Sequence, residues 1–558
     1  MMGNMSMPRL GGRTARGRGV GAAALTVGAA VLLAVTGCTS SGSTTTTPPG
    51  PVAGSTQPAT GNTHNAGPIV PTASSLHWHS CPAQLAHEGV PDCTTLSVPV
   101  NYADPGGRHL SLALDMVPAT APASQQQGIM LVNPGGPGAS GLPWAAVLAQ
   151  GLSPSVAMDY DIVGFDPRGV GSSVPRLSCD RGFFSGPRPN YVPASAAAEQ
   201  VLINRARTYA NDCEQKFGWL LPYMTTEDAA RDMDSIRAAF GVAKLNYYAF
   251  SWGTYLGQVY ATMFPGRVRR LVLDSTVDPT GVWYTDNVDQ DYAFQGRLDA
   301  FDAWAARYNG TYQLGSTAAQ VRAAYYRARN QLLATPAGGI VGPDELDDTY
   351  VTAGYLNGVW PGFAQALSSY LNSGQDGGLI AQYRAYGAQN ENEFAVYNAV
   401  QCSDASWPRS WAYWTSDTEM VYKTAPFYAW GNAWFNAACA FWPVRGPAKP
   451  LQITGAGAGQ AAADHRHRAA RHLDAAGHPG RGDPLRGRPG RPQAAAVGAD
   501  GRRRGRRQPR AVAVLAAQQL RAALRERLPR QRRPAGGGRP GQCHLPGGSG
   551  SGPGIAGG

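Results

Sequence analysis

Between His109 and His465 the sequence has no histidine, and its last 98 residues, Ala461–Gly558, have no Phe, Trp, Tyr, Met, Asn, Thr or Lys. The first absence removes the commonest general base from the whole middle of the chain. The second excludes an ordinary packed domain at the carboxyl end, because aromatic side chains carry much of the buried area of a core. Neither Cys-x-x-Cys nor His-Glu-x-x-His occurs, nor any Gly-Lys-Ser/Thr loop ending, so thioredoxin-type redox, zincin and phosphate-cradle motifs are missing. The pair His77 and His79 lacks the further ligands a metal needs, and no metal or cofactor is expected.

What is present is two compositions joined near position 460. The formal net charge of +11 would suggest nucleic acid or an anionic membrane as partner. It is not spread evenly, however. Ala461–Gly558 holds 20 Arg against 5 acids, whereas residues 39–460 hold 24 bases against 32 acids. The body is acidic, and no nucleic-acid partner is expected for it.

Arg9, Arg13, Arg16 and Arg18 precede the one long apolar run, Gly19–Val35, which ends in Thr36-Gly37-Cys38. A basic segment, an apolar segment and small residues before a cut describe an export signal. A Cys directly after Gly37 further resembles a bacterial lipobox, with Cys38 as the lipidated new amino terminus. Residues 1–38 are therefore expected to be a lipoprotein signal. Residues 39–75, rich in Ser, Thr, Pro and Gly, form a tether that cannot bury a core. The domain would then be lipid-anchored on the outer membrane face, or secreted, touching the membrane through the lipid only. Six cysteines remain in the body, an even number suited to an oxidising compartment. Sequence permits 15 connectivities; neighbour pairing, Cys81–Cys93, Cys179–Cys213 and Cys402–Cys439, is preferred.

Between 95 and 275 strands and helices alternate, as in a parallel α/β sheet. Strand runs are expected at Gly128–Asn133, Tyr160–Phe165, Leu245–Phe250 and Val268–Asp274, and an amphipathic helix over Thr226–Phe240 with Thr226 as its cap. Ala249-Phe250-Ser251-Trp252-Gly253 stands between a strand and a helix expected over Thr254–Phe264. A Ser there, with small residues two before and two after, is a nucleophile elbow: the turn is so sharp that only small neighbours avoid a clash. Ala249 takes the place of the usual Gly, adding one methyl. Acyl transfer to a Ser needs two N–H donors at the developing oxyanion. Trp252 supplies one, and Gly136, in the Pro134–Gly138 loop, is the choice for the other.

The blocks NPGGPGASG (133–141), YDIVGFDPRGVGSS (160–173), TTEDAARDMDSIRAAFG (225–241) and YAFSWGTYLGQVYATMFPGRVRRLVLD (248–274) resemble the secreted tripeptidyl-aminopeptidase family, α/β-hydrolase serine exopeptidases related to prolyl aminopeptidases. The resemblance covers roughly residues 76–455. It implies an α/β-hydrolase fold, a mostly parallel sheet flanked by helices, with the nucleophile half in 76–278, a helical cap in 279–396 and a further core segment starting in 397–460. It implies peptide substrates held by their free amino end. Asp404, Glu391 and Glu393 are the acids to hold that ammonium, unless they are solvated surface carboxylates. A carboxylic-ester hydrolase on the same fold and a non-catalytic peptide-binding lipoprotein are the alternatives. The sequence carries no signal for oligomeric state.

The fold supplies its triad in the order Ser, Asp, His, yet every histidine after Ser251 lies in the anomalous tail. The triad Asp and His are thus absent in this reading frame, and residues 461–558 are expected to be disordered or misfolded. Read one base later, each tail position admits up to about four residues. Leu473–Gly487 then admits STLQGTLDAATPFAG, resembling the family's acid block, with the Asp codon spanning Gly480 and Arg481. Arg503–Ala513 admits GEGGGNHGQSL, resembling its glycine-flanked histidine, with the His codon spanning Pro509 and Arg510. Gln518–Arg533 admits a closing helix. All lie in one frame and in the right order, which places a frame change between about Leu451 and Asp464.

Overall fold

The computed structural model describes residues 76–83 and 89–454. The expected signal, Cys38, the tether and the Arg-rich tail lie outside the described residues, as does a second unit, Gly477–Gly558. Seven strands form one sheet: β1 (His79–Ser80), β2 (Asp92–Pro99), β3 (His109–Val117), β4 (Ile129–Asn133), β5 (Asp161–Asp166), β6 (Leu245–Phe250) and β7 (Val268–Asp274). Their order is β1-β2-β3-β5-β4-β6-β7. The first three strands and the β3/β5 pair are antiparallel, whereas β5, β4, β6 and β7 run parallel. The four strands expected from sequence match β4 to β7 within a residue at each end. An antiparallel β1–β3 edge extends the parallel core.

The alternation along β4 sorts its side chains between two layers. Met130 and Val132 meet Ala145 and Leu148 of α1 (Trp144–Gly151). Leu131 faces the main core, with Tyr209 of α2 (Ala196–Phe217), Met233 and Ile236 of α3 (Thr226–Ala239) and Leu256 and Val259 of α4 (Trp252–Met263). At Gly257 on α4 a methyl would lie 2.9 Å from Leu273 Cδ2 and Tyr247 Cε1, so this helix lies on the sheet as closely as a helix can.

Cover is unequal across the sheet. Every residue of β4 is buried, but along β7 none is, and Val272 is 45% exposed. The register pairs Tyr248 with Val272 and Phe250 with Asp274. These four residues share the face of Met130 and Val132; α1 reaches Phe250 through Trp144, with ring centroids 5.2 Å apart, and Tyr248 packs beside the same layer. Among the described residues this cover thins toward β7, where Val272 is nearly half exposed, and no strand pairs with the outer edge of β7.

After β7 the chain builds a helical layer with a core of its own. α5 (Tyr284–Arg307), α6 (Ala318–Ala334), α7 (Pro343–Tyr355) and α8 (Trp360–Ser373) pack around Phe301, Tyr325, Tyr350 and Phe363. Thr317 and Gln320 form a capping box at the start of α6. Arg188, on the loop before α2, is buried against Glu345 and Asp348 of α7 and ties this layer to the sheet domain. The chain returns along α9 (Glu391–Asp404), followed by α10 (Trp411–Tyr422) and α11 (Ala429–Asn436). The expected boundary between 396 and 397 thus falls inside α9, whose Phe394, Ala395 and Val396 already belong to the main core. The three disulfides are Cys81–Cys93, Cys179–Cys213 and Cys402–Cys439, with Cα–Cα distances of 4.9, 4.6 and 5.0 Å.

Candidate active site

Ser251 lies between the end of β6 and the start of α4, with φ 51° and ψ −128°. A non-glycine residue in this region is strained, and such strain is held only where the surroundings over-determine it. Here they do. Ser251 N–H donates to Asp274 O at 3.2 Å, and its carbonyl accepts from Thr254 N–H at 2.8 Å and Thr254 Oγ1 at 2.6 Å. A methyl on Gly253 would lie 2.6 Å from Asn133 Oδ1 and 3.1 Å from the Ala249 methyl, so only glycine fits two residues after the serine. The Ala249 methyl itself is accommodated, fully buried. Among the described residues the Ser251 hydroxyl makes no hydrogen bond, and no imidazole is found beside it; the only described histidines are His77, His79 and His109.

The glycine loop after β4 is folded against this turn. At Gly135, with φ 101°, a methyl would lie 2.6 Å from Phe250 O and 2.8 Å from Ser251 Cβ. Gly135 N–H donates inward to Asn133 Oδ1 at 2.9 Å. The N–H groups of Gly136 and Trp252 have no hydrogen-bond partner among the described residues, and Trp252 occupies the first position of α4, where backbone donors are left over by the helix.

Asp166 of the YDIVGFDPRGVGSS block holds the end of this loop from behind, and Arg168 ties the same block to α3. Asp166 accepts from Ser140 Oγ at 2.6 Å, Gly141 N–H at 2.9 Å and Ser172 N–H at 2.7 Å. Arg168 makes a bidentate pair with Asp232 at 2.8 and 2.7 Å, and Tyr102 also donates to Asp232. Burial pushes the Asp232 carboxyl upward, with the guanidinium opposing it.

The three acids proposed from sequence for an ammonium have separate fates. Glu391 accepts from Ser178 Oγ, Cys179 N–H, Asp180 N–H and Tyr209 OH, at 2.7 to 3.0 Å. Its lone pairs are committed to a loop clasp, and it is corrected from ligand to structural anchor. Glu393 is buried with its backbone against Gly138, where a methyl would lie 2.5 Å from Glu393 O. Asp404, also buried, accepts from Thr226 N–H and Oγ1 at 2.6 Å each and from Trp283 Nε1 at 3.1 Å. Burial raises it to about 7 against the pull of these donors. The Trp252 indole donates to Thr226 Oγ1 at 3.1 Å, so Asp404 is joined to the elbow through one side chain. Thr226 is therefore not the helix cap; Thr225 is, accepting from Asp228 N–H.

Sequence reasoning missed Asn133 and Asn392. Asn392 accepts from Gly171 N–H and donates to Gly169 O and Leu177 O, pinning the loop after β5. The adjacent Glu391-Asn392-Glu393 at the start of a helix was the available signal.

The model of the alpha/beta hydrolase fold family matches residues 128–354. A tripeptidyl aminopeptidase of Streptomyces lividans is 41% identical over 397 residues, 69% of this chain and 73% of that protein. Carboxylesterase B of Mycobacterium tuberculosis is 34% identical over 435 residues, 74% of this chain and 81% of the relative. The serine protease Hip1 of the same organism is 30% identical over 413 residues, 68% and 77% of the two chains.

Proposed function

Because the chain belongs to the family of the Streptomyces tripeptidyl aminopeptidases, hydrolases of the α/β fold, we propose that its body is built to release short peptides from free amino ends by acyl transfer to Ser251. The observation that carries this reading is the strained elbow: a serine at φ 51° whose hydroxyl is uncommitted, beside two unpartnered backbone donors. Ser251 Oγ attacks the scissile carbonyl, and Gly136 and Trp252 N–H receive the oxyanion. The amine leaves with the proton that a base must carry, and water then releases the acyl product. That base and its orienting acid are what the chain lacks in its present frame. We read Ala461–Gly558 as translated one base out of frame, a reading that the exposed face and unpaired outer edge of β7 and the unpartnered hydroxyl both support. The export signal and Cys38 would hold the body at the outer membrane face.

A tripeptidyl chromogenic amide tests this, offered to the frame-restored protein with its amine free and acetylated. Cleavage of the free form alone is expected. Preference for p-nitrophenyl esters with indifference to acetylation would favour the esterase reading, for which the likeness to Carboxylesterase B speaks. A nucleotide sequence whose shifted frame lacks the TLD and NHG codons at 480/481 and 509/510 would end the frame reading.

A further inference from the structure

Beside α9, the loop before α2 and the helices α2 and α11 enclose an apolar cavity. The centre of a water-sized group can range over about 30 Å³ in it, more than a single water requires. Its walls are aromatic: Phe183 and Phe184 from the loop, Tyr209 from α2, Phe394 from α9 and Phe435 from α11. Phe183 and Phe184 are only half-buried and lead out to solvent. The polar ends of the other aromatic side chains are spent. Tyr209 OH donates to Glu391, Trp434 Nε1 to Tyr191 O and Tyr191 OH to Asp348. The cavity's remaining polar side chains are two guanidiniums, Arg188 and Arg205, and no acid lines it.

Arg188 is the observation that points to a ligand. Its side chain is 3% exposed. Nε donates to Glu345 Oε1 at 2.8 Å, and Nη1 donates to Asp348 Oδ2 at 2.7 Å and Tyr191 OH at 2.6 Å. Nη2, buried with them, has no acceptor among the described residues. A buried N–H without an acceptor carries its full desolvation cost, the more so on a charged group. Arg205 adds a second cation. It donates to Phe183 O, its Cζ lies 4.0 Å from the centre of the Phe183 ring, and it forms no ion pair among the described residues. Burial holds it below the ordinary arginine value and the charge of Arg188 adds to this, with Asp180 and Glu345 opposing. Two guanidiniums thus adjoin one apolar space, the first with an unused N–H edge and the second with no anion.

We propose that this cavity is a binding site for a short-chain monocarboxylate of acetate or propionate size, with Arg188 and Arg205 as its cations and the phenyl rings as the walls around its stem. A carboxylate accepts the free Nη2 edge of Arg188 and brings Arg205 the counter-charge it lacks, while one or two carbons leave water for the rings. A phosphate or sulfate would press further charged oxygens against those rings without donors to meet them. One monoanion suffices, because Arg188 already serves two carboxylates. The site stands apart from the chemistry of Ser251. Phe394, one of its walls, follows Glu393, whose backbone lies against Gly138, so an occupant would bear on the helix that backs the glycine loop.

Binding is read on the full chain as it exists by saturation-transfer NMR of sodium propionate at constant ionic strength. A saturable signal with a dissociation constant on the order of 1 mM is expected for so small a ligand, and none from propionamide, which has the same size without the charge. Arg205→Gln should weaken binding about tenfold. Ala206→Leu, which fills the cavity from α2 without touching a charge, should abolish it, with circular dichroism unchanged. Arg188→Met should abolish it as well; should that variant fail to fold, because Glu345 and Asp348 lose their partner, the other two supply the test. Acetate should displace propionate, and chloride at equal concentration should not. No saturable signal, an equal signal from propionamide, displacement by chloride as readily as by acetate, or unaltered affinity in folded Arg205→Gln and Ala206→Leu would overturn the proposal. No turnover enters these measurements, so they stand or fall independently of hydrolysis by the frame-restored protein.

Discussion

β4 and β7 lie in one sheet, separated only by β6, and they meet different fates. Ile129–Asn133 is buried throughout between α1 on one side and α3 and α4 on the other. Val268–Asp274 is covered on one side by α4 and bare on the other, with Val272 nearly half exposed. A parallel strand with a Val/Leu-rich sequence ordinarily has both faces covered. The difference marks a shortfall at the outer edge of the sheet, where among the described residues Val272 stands nearly half exposed and no strand pairs with β7.

The largest effect expected concerns that shortfall. Restoring the frame should raise kcat/KM on a tripeptidyl amide by about 10³ to 10⁶ over the present chain, and Ser251→Ala in the restored protein should remove the gain. Equal activity of the two chains would break the contrast. Within the covered half, Asp232→Ala strands the buried Arg168 guanidinium and should cost about 3–5 kcal/mol in urea unfolding. Leu131→Ala should cost about 2–5 kcal/mol, whereas Val272→Ala should stay within about 0.5 kcal/mol in the present chain. A large loss at Val272 would mean that its face is covered after all.

A last expectation is a slope with pH. Burial holds Asp404 and Asp286 up to about 7 and Asp291 up to about 8, above the ordinary value of 3.8. Between pH 4 and 8 the folded chain therefore binds more protons than the unfolded one, and stability falls as pH rises. Urea midpoints measured at pH 5 and pH 8 should decrease in that order; the opposite order would contradict the burial of these three groups.

Much of this was legible in the sequence. The strands β4 to β7 were visible as short apolar runs bounded by glycine and proline. The elbow was visible because a backbone that sharp admits so few residue types. Neighbour pairing of the cysteines also matches the structure. What escaped depends on contacts distant along the chain. Thr225 and Thr226 look alike as caps, and only the approach of Asp404, 178 residues on, takes Thr226 away from the helix end. Glu391 looked like a free acid because its four donors come from α2 and the loop before it.

α9 has a bearing on how the protein can be made. Its first residue grips the N–H of Cys179, which is bridged to Cys213 on α2, and its own Cys402 is bridged to Cys439 two residues before Asp404. Two of the three cross-links thus fasten the two ends of the helix that clasps the glycine loop. A preparation from a reducing cytoplasm would leave that helix held by packing and hydrogen bonds alone. Oxidative refolding or periplasmic expression is accordingly the route on which assays of Ser251 should be judged.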